Sequence, residues 1–303
     1  MRRTIRTQIS KLLHLHCKIT ALFLAFPSLV LADADTALTF GSGPNDYRSY
    51  AFKANVDLFD LPVQLNLDQF LAKSTGSSDM KQSGLGLTWD VTDLLSAEYR
   101  YSTTNDGTFD VIGNEGELTF NLDEIWQGDL QTALNIGYGT FDFTPTAIAR
   151  PKLANKLSFT QDRNSIGLSQ DITSSFSIFA LHSQYTYDRN VKSTALAILH
   201  PILNSSKAAF TLLSFPDQTS TWGIGWKPME KLGLDLSTGR TSTLLQQRQK
   251  NTRLGMDYQF TDTLNIAAAV TRASATAVVN ANGKIAQQAS NDTYTEFTLG
   301  WSF

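Results

Sequence analysis

Beyond residue 32 the chain holds two histidines, His182 and His200, and no cysteine. A hydrolytic site built on imidazole needs a hydroxyl within hydrogen-bond reach. On a β-strand such a partner must lie two residues away, because side chains alternate between faces. His182 is followed by Ser183, which points to the opposite face, and Gln184 occupies the position where a serine would be needed. His200 is followed by Pro201 and Ile202. Neither forms a local pair, although the fold could bring a serine from another strand near. His182 therefore reads as an ordinary polar residue facing an interior. Asn45-Asp46 and Asn105-Asp106-Gly107 are turn-forming sequences before they are calcium ligands. No catalytic residue, metal site or cofactor is expected.

The remaining chemistry is charge, and it recurs at every second residue. Lys53, Asn55 and Asp57 share one strand face, as do Gln64, Asn66 and Asp68, then Glu98 and Arg100, then Glu117, Thr119 and Asn121. Gln131 and Asn135, Asp235, the set Arg253, Asp257 and Gln259, and the pair Glu296 and Thr298 continue the pattern. A dry interior could not hold so many ionisable groups without several kcal/mol of penalty each, so this face is read as lining a wet lumen. Lys53 and Asp57 lie about 13 Å apart along one strand and must find partners on neighbouring strands. Acids outnumber bases there, which predicts a mild preference for cations. Glycines share the parity, at Gly84, Gly86, Gly137, Gly139, Gly167, Gly223, Gly225, Gly233, Gly255 and Gly300. Either the wall bends at these points or a path has to stay open.

The opposite parity is apolar. Tyr50, Phe52, Ala54, Val56 and Leu58 share one face, as do Leu118, Phe120 and Leu122, and Leu232, Leu234 and Leu236. At the end of the chain Thr295, Phe297, Leu299, Trp301 and Phe303 alternate with Tyr294, Glu296, Thr298, Gly300 and Ser302. A sheet with one greasy and one polar face suits a wall between lipid and water. Apolar-Gly-apolar-polar-aromatic segments recur at 85–89, 254–258 and 299–303, and the internal copies are followed by a short polar turn. The ending resembles the C-terminal assembly signal of Gram-negative outer-membrane β-barrels, here Phe297, Leu299, Trp301 and Phe303. The resemblance implies a porin-like barrel integral to the bacterial outer membrane. Its expected partners are outer-membrane lipid and lipopolysaccharide, with barrel-assembly machinery and periplasmic chaperones during biogenesis; a homo-oligomer is compatible with it.

Arg2, Arg3, Arg6, Lys11 and Lys18 precede an apolar run from Ile19 to Leu31, which reads as a cleaved secretory signal peptide over 1–32 followed by one barrel domain over 33–303. The run is too short for a comfortable spanning helix. Cys17 would be removed with it. Removing these five basic residues from 25 leaves 20 against 28 acidic, a net charge of −8. Such an exported acidic chain does not suit nucleic acid.

The fold class is all-β, an up-and-down transmembrane barrel of about 16 strands, with 14 as the alternative. Rising strands are expected near 36–42, 62–73, 95–104, 129–141, 175–187, 206–215, 232–244 and 263–276. Falling strands are expected near 46–58, 82–90, 114–122, 163–170, 192–200, 219–227, 250–260 and 292–303. The pair at 192–215 has the poorest alternation. Trp89, Trp226, Tyr258, Phe260 and Phe303 would form an aromatic girdle at the turn end, and Tyr101, Tyr138, Tyr185 and Tyr187 one at the loop end. Arg240 and Arg272 fall on the lipid parity near the loop end, placed either to grip lipopolysaccharide phosphates or to snorkel. The longest loop, 142–162, carries Arg150, Lys152 and Lys156. It reads as an exposed surface loop; folded inward it would resemble the constriction loop of general porins.

These features predict a passive, water-filled channel for small hydrophilic solutes or ions, tuned by Lys53, Asp57, Asp68, Glu98, Arg100, Glu117, Asp235, Arg253, Asp257 and Glu296. The alternatives are a closed structural, adhesive or partner-binding barrel and, further off, a lipid or lipopolysaccharide hydrolase. Outer-membrane enzymes of the latter kind present a His-x-Ser pattern, which His182 lacks. A TonB-dependent transporter would need a plug domain, for which the chain before the first strands has no room.

Overall fold

The alternating pattern gives strands, and the strands close on themselves. In the computed structural model, residues 33–303 are described apart from 59–60, 76–78, 108, 127–129, 147–157, 189–190, 192–214, 245–246 and 280–284. The proposed signal peptide over 1–32 and the basic residues Arg150, Lys152 and Lys156 lie outside the described residues. The wall begins with β1 (Ala34–Gly43), β2 (Tyr47–Asp57), β3 (Val63–Lys73), β4 (Met80–Thr92), β5 (Leu95–Asn105) and β6 (Phe109–Asn121). A single-turn helix, α1 (Asp123–Trp126), precedes β7 (Thr132–Pro145), β8 (Phe159–Thr173) and β9 (Phe176–Tyr187). The wall continues through β10 (Pro216–Met229), β11 (Leu232–Thr243), β12 (Arg248–Gln259) and β13 (Leu264–Ala275). A small hairpin, β14 (Val278–Val279) and β15 (Ile285–Gln287), stands apart from the barrel, and β16 (Ser290–Ser302) ends the wall.

Every neighbouring pair in the wall is antiparallel, and β16 pairs with both β13 and β1, so 14 strands form a closed barrel. Closure gives every strand two hydrogen-bonded neighbours, the condition for a sheet to sit in lipid. The count is the smaller of the two read from the sequence. β9 pairs directly with β10, from Trp226↔Phe176 to Gln218↔Gln184, so no strand lies between them in the wall; the strands expected at 192–200 and 206–215 fall, but for Phe215, outside the described residues. Both chain ends of the wall lie on one side, with short turns at 93–94, 174–175 and 230–231; the three longest connections, 146–158, 188–215 and 276–289, lie on the other, extracellular side. The longest connection is therefore 188–215 rather than the loop expected at 142–162, which shortens to 146–158 because β7 and β8 run further outward.

Cross-strand partners share a face, so the register carries one parity around the whole barrel. Leu254, Met256 and Tyr258 project outward beside Leu232, Leu234 and Leu236. Leu254 is 58% exposed, Ile166 53% and Trp222 55%, values that suit lipid and not a water-covered surface. Phe297, Leu299 and Trp301 continue this face on β16, and the Phe303 N–H donates to the Ala34 carbonyl at 2.9 Å, tying the chain end to the first strand. Trp89, Trp226, Tyr258 and Phe260 are exposed near the turn end, and Tyr101 and Tyr138 are exposed on the outer face toward the loop end. Tyr185 and Tyr187 differ from expectation: they pair with Arg163 and Gln161 on the inner face.

The tight turns use the residues their backbone demands. Asn45 and Asp46 adopt φ of 56° and 55°, and Gly107 78°, conformations these residue types tolerate. The Asp106 carboxylate accepts from the Phe109 N–H at 2.6 Å, and Asn105 Oδ1 from the Gly107 N–H at 3.1 Å. Their side chains serve the turn.

Leu254→Arg, mid-strand on the lipid face, should destabilise the folded barrel in phospholipid vesicles by about 2–4 kcal/mol. Asn251→Arg, on the inner face of the same strand, should cost well under 1 kcal/mol. Denaturant unfolding in vesicles reads both.

Candidate functional site

The inner wall divides into two charged sectors and an apolar one. On β2–β8 a chain of four charges is ion-paired. Arg100 (β5) grips Asp68 (β3) with Nη2 at 2.8 and 3.0 Å from its two oxygens and Nε at 3.2 Å, a forked geometry stronger than a single contact. The same guanidinium lies 3.6 Å from Glu115 on β6, and Arg163 on β8 reaches the other Glu115 oxygen at 2.6 Å. The Arg163 guanidinium also stands 5.8 Å from the centre of the Phe141 ring. Lys53 sits directly opposite Asp68 but makes no ion pair among the described residues. Asp57 accepts from Gln64 Nε2 at 2.9 Å, the expected partner from a neighbouring strand. Glu98 and Glu117 face each other across β5 and β6, and Glu117 accepts from Asn135 Nδ2 at 2.8 Å.

The inward glycines explain how these side chains reach so far. Arg100 and Asp68 are two strands apart, with β4 between them and Gly84 opposite Asp68. A Cβ on Gly84 would overlap the Asp68 carboxylate. Arg163 likewise crosses β7 at its partner Gly139 to reach Glu115 on β6. On the far wall a Cβ on Gly255 would collide with both Asp235 and Arg253, and one on Gly233 with Asp257. Gly84, Gly139, Gly233 and Gly255 thus clear space for neighbouring ionic or aromatic side chains, as Gly223 does for Phe179. This is more specific than either a bent wall or an open path.

On β11–β16 the charges are less evenly matched. Arg253 Nη1 meets Asp235 at 2.6 Å. Asp257 lies between Gly233 and Ala267, and Glu296 between Gly41 and Ala269; neither carboxylate has an ion-pair partner among the described residues. Asp292, opposite Ala273, has the same character. Glu296 and Asp292 edge a recess of about 180 Å³ lined also by Tyr47, Asn251, Thr271 and Tyr294. Nearer the chain ends, Asp35, Lys53, Asn55, Asn265 and Thr298 line a second recess of about 330 Å³.

The third sector is apolar and sits inside the extracellular mouth. Phe109, Val111, Phe143, Phe159, Val191 and Phe215 form one buried cluster, joined by Phe141, Tyr187 and Leu244. Phe143 and Phe159 stack at 4.6 Å, and Phe109 meets Phe143 edge-on at 5.7 Å. Such pairs add about 0.5–1.5 kcal/mol each beyond burial. The Tyr187 hydroxyl accepts from Gln161 Nε2 at 2.7 Å and donates to the Pro216 carbonyl at 2.6 Å. Val191 and Phe215, near the two ends of the 188–215 connection, are 1% and 2% exposed, both packed into this cluster.

Glu115, Arg163 and this cluster were not singled out from the sequence. Glu115 lies two residues before Glu117 and Arg163 four before Gly167, so parity alone placed them inward. Phe109-Asp110-Val111 and Phe141-Asp142-Phe143 reverse the pattern of the mid-strands, apolar in and acid out, which marks where the wall leaves the membrane.

His182 is a correction. It projects outward, on the parity of Ile178 and Ala180, because Ser183 is buried inside and Phe179 and Leu181 fill the space over Gly223 and Gly167. Both faces of β9 are apolar enough that alternation did not distinguish them. Ser220 on β10 lies opposite, and its Oγ is 2.9 Å from His182 Nδ1. The remaining cross-strand neighbours on this face are Ile166 and, beyond Ser220, Arg240. No carboxylate is hydrogen-bonded to the imidazole among the described residues, so nothing orients it as the third member of a hydrolytic triad would.

No protein-family model and no curated relative matches this chain. The solved structures similar to it include OccAB1 of Acinetobacter baumannii (7% identity, TM-score 0.48, covering 91% of this chain and 98% of that one). The NanC porin (8%, 0.45, 88% and 98%) and the KdgM porin in complex with disordered oligogalacturonate (8%, 0.41, 89% and 99%) are also similar. What places this chain in the bacterial outer membrane is its own surface: a closed antiparallel barrel, apolar outside and ionised within, with aromatic residues toward both ends of its lipid face. Its architecture is that of a closed 14-stranded antiparallel outer-membrane β-barrel.

Gly84→Ala should weaken the barrel through the Asp68–Arg100 pair. In a double-mutant cycle with Arg100→Gln, unfolding in vesicles should give a coupling of about 0.5–3 kcal/mol; additive effects would mean that Gly84 does not clear space for this pair.

Proposed function

We propose that the barrel is a passive, water-filled channel for small hydrophilic solutes or ions, with a preference for cations. The observation that carries this reading is the imbalance of free charge inside. Arg100, Arg163 and Arg253 are each tied to a carboxylate and Lys53 has no ion pair, whereas five acids, Glu98, Glu117, Asp257, Asp292 and Glu296, have no ionic partner among the described residues. Carboxylates left facing a cavity are tolerated in water and costly without it. Fourteen strands also exceed the eight whose side chains suffice to fill a barrel. A solute would pass along β11–β16 and β1–β2, where polar side chains and recesses lie. The apolar cluster narrows the mouth on the side of β6–β10. Ion selectivity would follow from the unpaired carboxylates acting on a path constricted from the opposite side.

The mouth cluster is also the observation that favours a second reading, a barrel closed at its extracellular end that serves a structural or binding role.

In planar bilayers the protein should give stable ohmic steps with a reversal potential on the cation side. The double change Asp257→Asn and Glu296→Gln should lower the cation-to-anion permeability ratio at least about twofold. Silence from protein that migrates as a folded, heat-modifiable barrel would remove the channel reading in favour of the closed one.

Phe143→Ala with Phe159→Ala should raise single-channel conductance by widening the mouth, while costing about 3–5 kcal/mol per buried ring in stability. Conductance unchanged in the folded variant would place the narrowest point elsewhere.

A further inference from the structure

The outer face of β11–β13 carries a basic patch at its extracellular end, and we propose that it is a binding site for the phosphorylated headgroup of an outer-leaflet lipid. Arg240, Arg248, Lys250 and Arg272 all project outward there, since they share parity with the exposed Leu236, Leu254 and Val270. Arg240 stands directly opposite Lys250. Arg272 is diagonal to Lys250, whose partner is Ser274. Direct and diagonal neighbours lie about 5 and 7–8 Å apart at Cβ, and Arg248 is two residues along the strand from Lys250. Four positive charges therefore share one small area.

Like charges directly opposite each other destabilise a sheet, and nothing on this face offsets them. The outward positions around them are Gln218, Ser220, Thr238, Ser242, Thr252, Ser274, Asn291 and Thr293, all uncharged. Arg272 Nε donates to Asn291 at 3.0 Å; the other three make no side-chain hydrogen bond or ion pair among the described residues. The flanking hydroxyls and amides are further donors of the kind a phosphate ester accepts, and guanidinium forks bind phosphate in two-pronged fashion.

Height on the barrel selects a lipid over a free anion. Directly below the patch, toward mid-strand, the same faces become Leu236, Leu254, Met256 and Val270. A phosphate at the patch would thus have its acyl chains beside an apolar wall. A second copy of the chain is the other conceivable occupant. Its outward acids toward that end among the described residues include Asp79, just before β4, and Asp110, Asp142 and Asp162 on β6–β8, which accept from Lys73, Asn105, Thr160 and Tyr138. None of these acids lies on β11–β13; the apolar wall below the patch makes the lipid headgroup the occupant proposed, and a contact between copies is an outcome of the test. This site is on the outer surface and does not depend on whether the lumen conducts.

The test uses protein extracted from outer membranes in detergent, delipidated, and titrated with bisphosphorylated lipid A, its dephosphorylated form, or inorganic phosphate, with native mass spectrometry as the readout. Bisphosphorylated lipid should bind at least about tenfold more tightly than the dephosphorylated form. The variant R240Q/R248Q/K250Q/R272Q should lose that difference while retaining heat-modifiability and conductance. Should the fourfold variant not fold, R240Q/K250Q removes the directly opposed pair, and a loss of at least about threefold is then expected. Undiminished lipid binding by the folded variant would overturn the proposal. So would inorganic phosphate binding as tightly as the lipid, which would make this a free-anion site, or a loss of dimer mass in the variants, which would make it a contact between copies.

Discussion

Backbone hydrogen bonding in a solvent that offers none is the constraint on which everything else here depends. A strand exposed to hydrocarbon must find both neighbours, and the wall satisfies this only because β16 turns back onto β1 from Asp35↔Ser302 to Ser42↔Thr295. Closure also sets which side of each strand meets lipid, since the register passes one parity from strand to strand. The lipid face needs little beyond apolar bulk. All the specificity of the molecule is therefore left to the inside, the two rims and the connections.

Inside, the main device is the pairing of an ionic side chain with a glycine on the intervening strand. In a flat ladder, charges two strands apart would be held about 10 Å from one another at the backbone. Gly84 and Gly139 remove the obstacle, and the chain of contacts Asp68–Arg100–Glu115–Arg163 spans β3 to β8. This links four strands through side chains and cancels the charge of those four residues, while Glu98 and Glu117 still face each other on the same half. The other half keeps carboxylates between alanine and glycine, where no cation reaches them.

The mouth obeys a different rule. Once strands rise above the membrane, the outer face meets water and the inner face can be covered, so Phe109, Phe143 and Phe159 turn inward while Asp110, Asp142 and Asp162 turn outward. The same strand thus has opposite polarity at its two ends. The resulting cluster holds both ends of the 188–215 connection against the inner wall.

Most of the wall was legible in the sequence because period-two alternation is a local property. The inward set from Lys53 to Thr298, the outward Leu232–Leu234–Leu236 face, the terminal strand and the turn at Asn105-Asp106-Gly107 all follow from neighbours along the chain. The choice between 14 and 16 strands did not, because it turns on whether β9 bonds directly to β10, a contact between segments separated by 28 residues. His182 was misplaced for a related reason: Phe179 and Leu181 are accommodated inside only by glycines on adjacent strands, which parity on β9 cannot reveal. The pairing of Arg100 with Asp68, the isolation of Asp257 and Glu296, and the gathering of Arg240, Arg248, Lys250 and Arg272 were likewise decided by register. Sequence alone determined that faces alternate along each strand and, on most strands, which face is apolar; only the closed sheet decided which face of β9 looks inward and which residues on a face meet, because cross-strand distance is set by hydrogen-bond register and not by position in the chain.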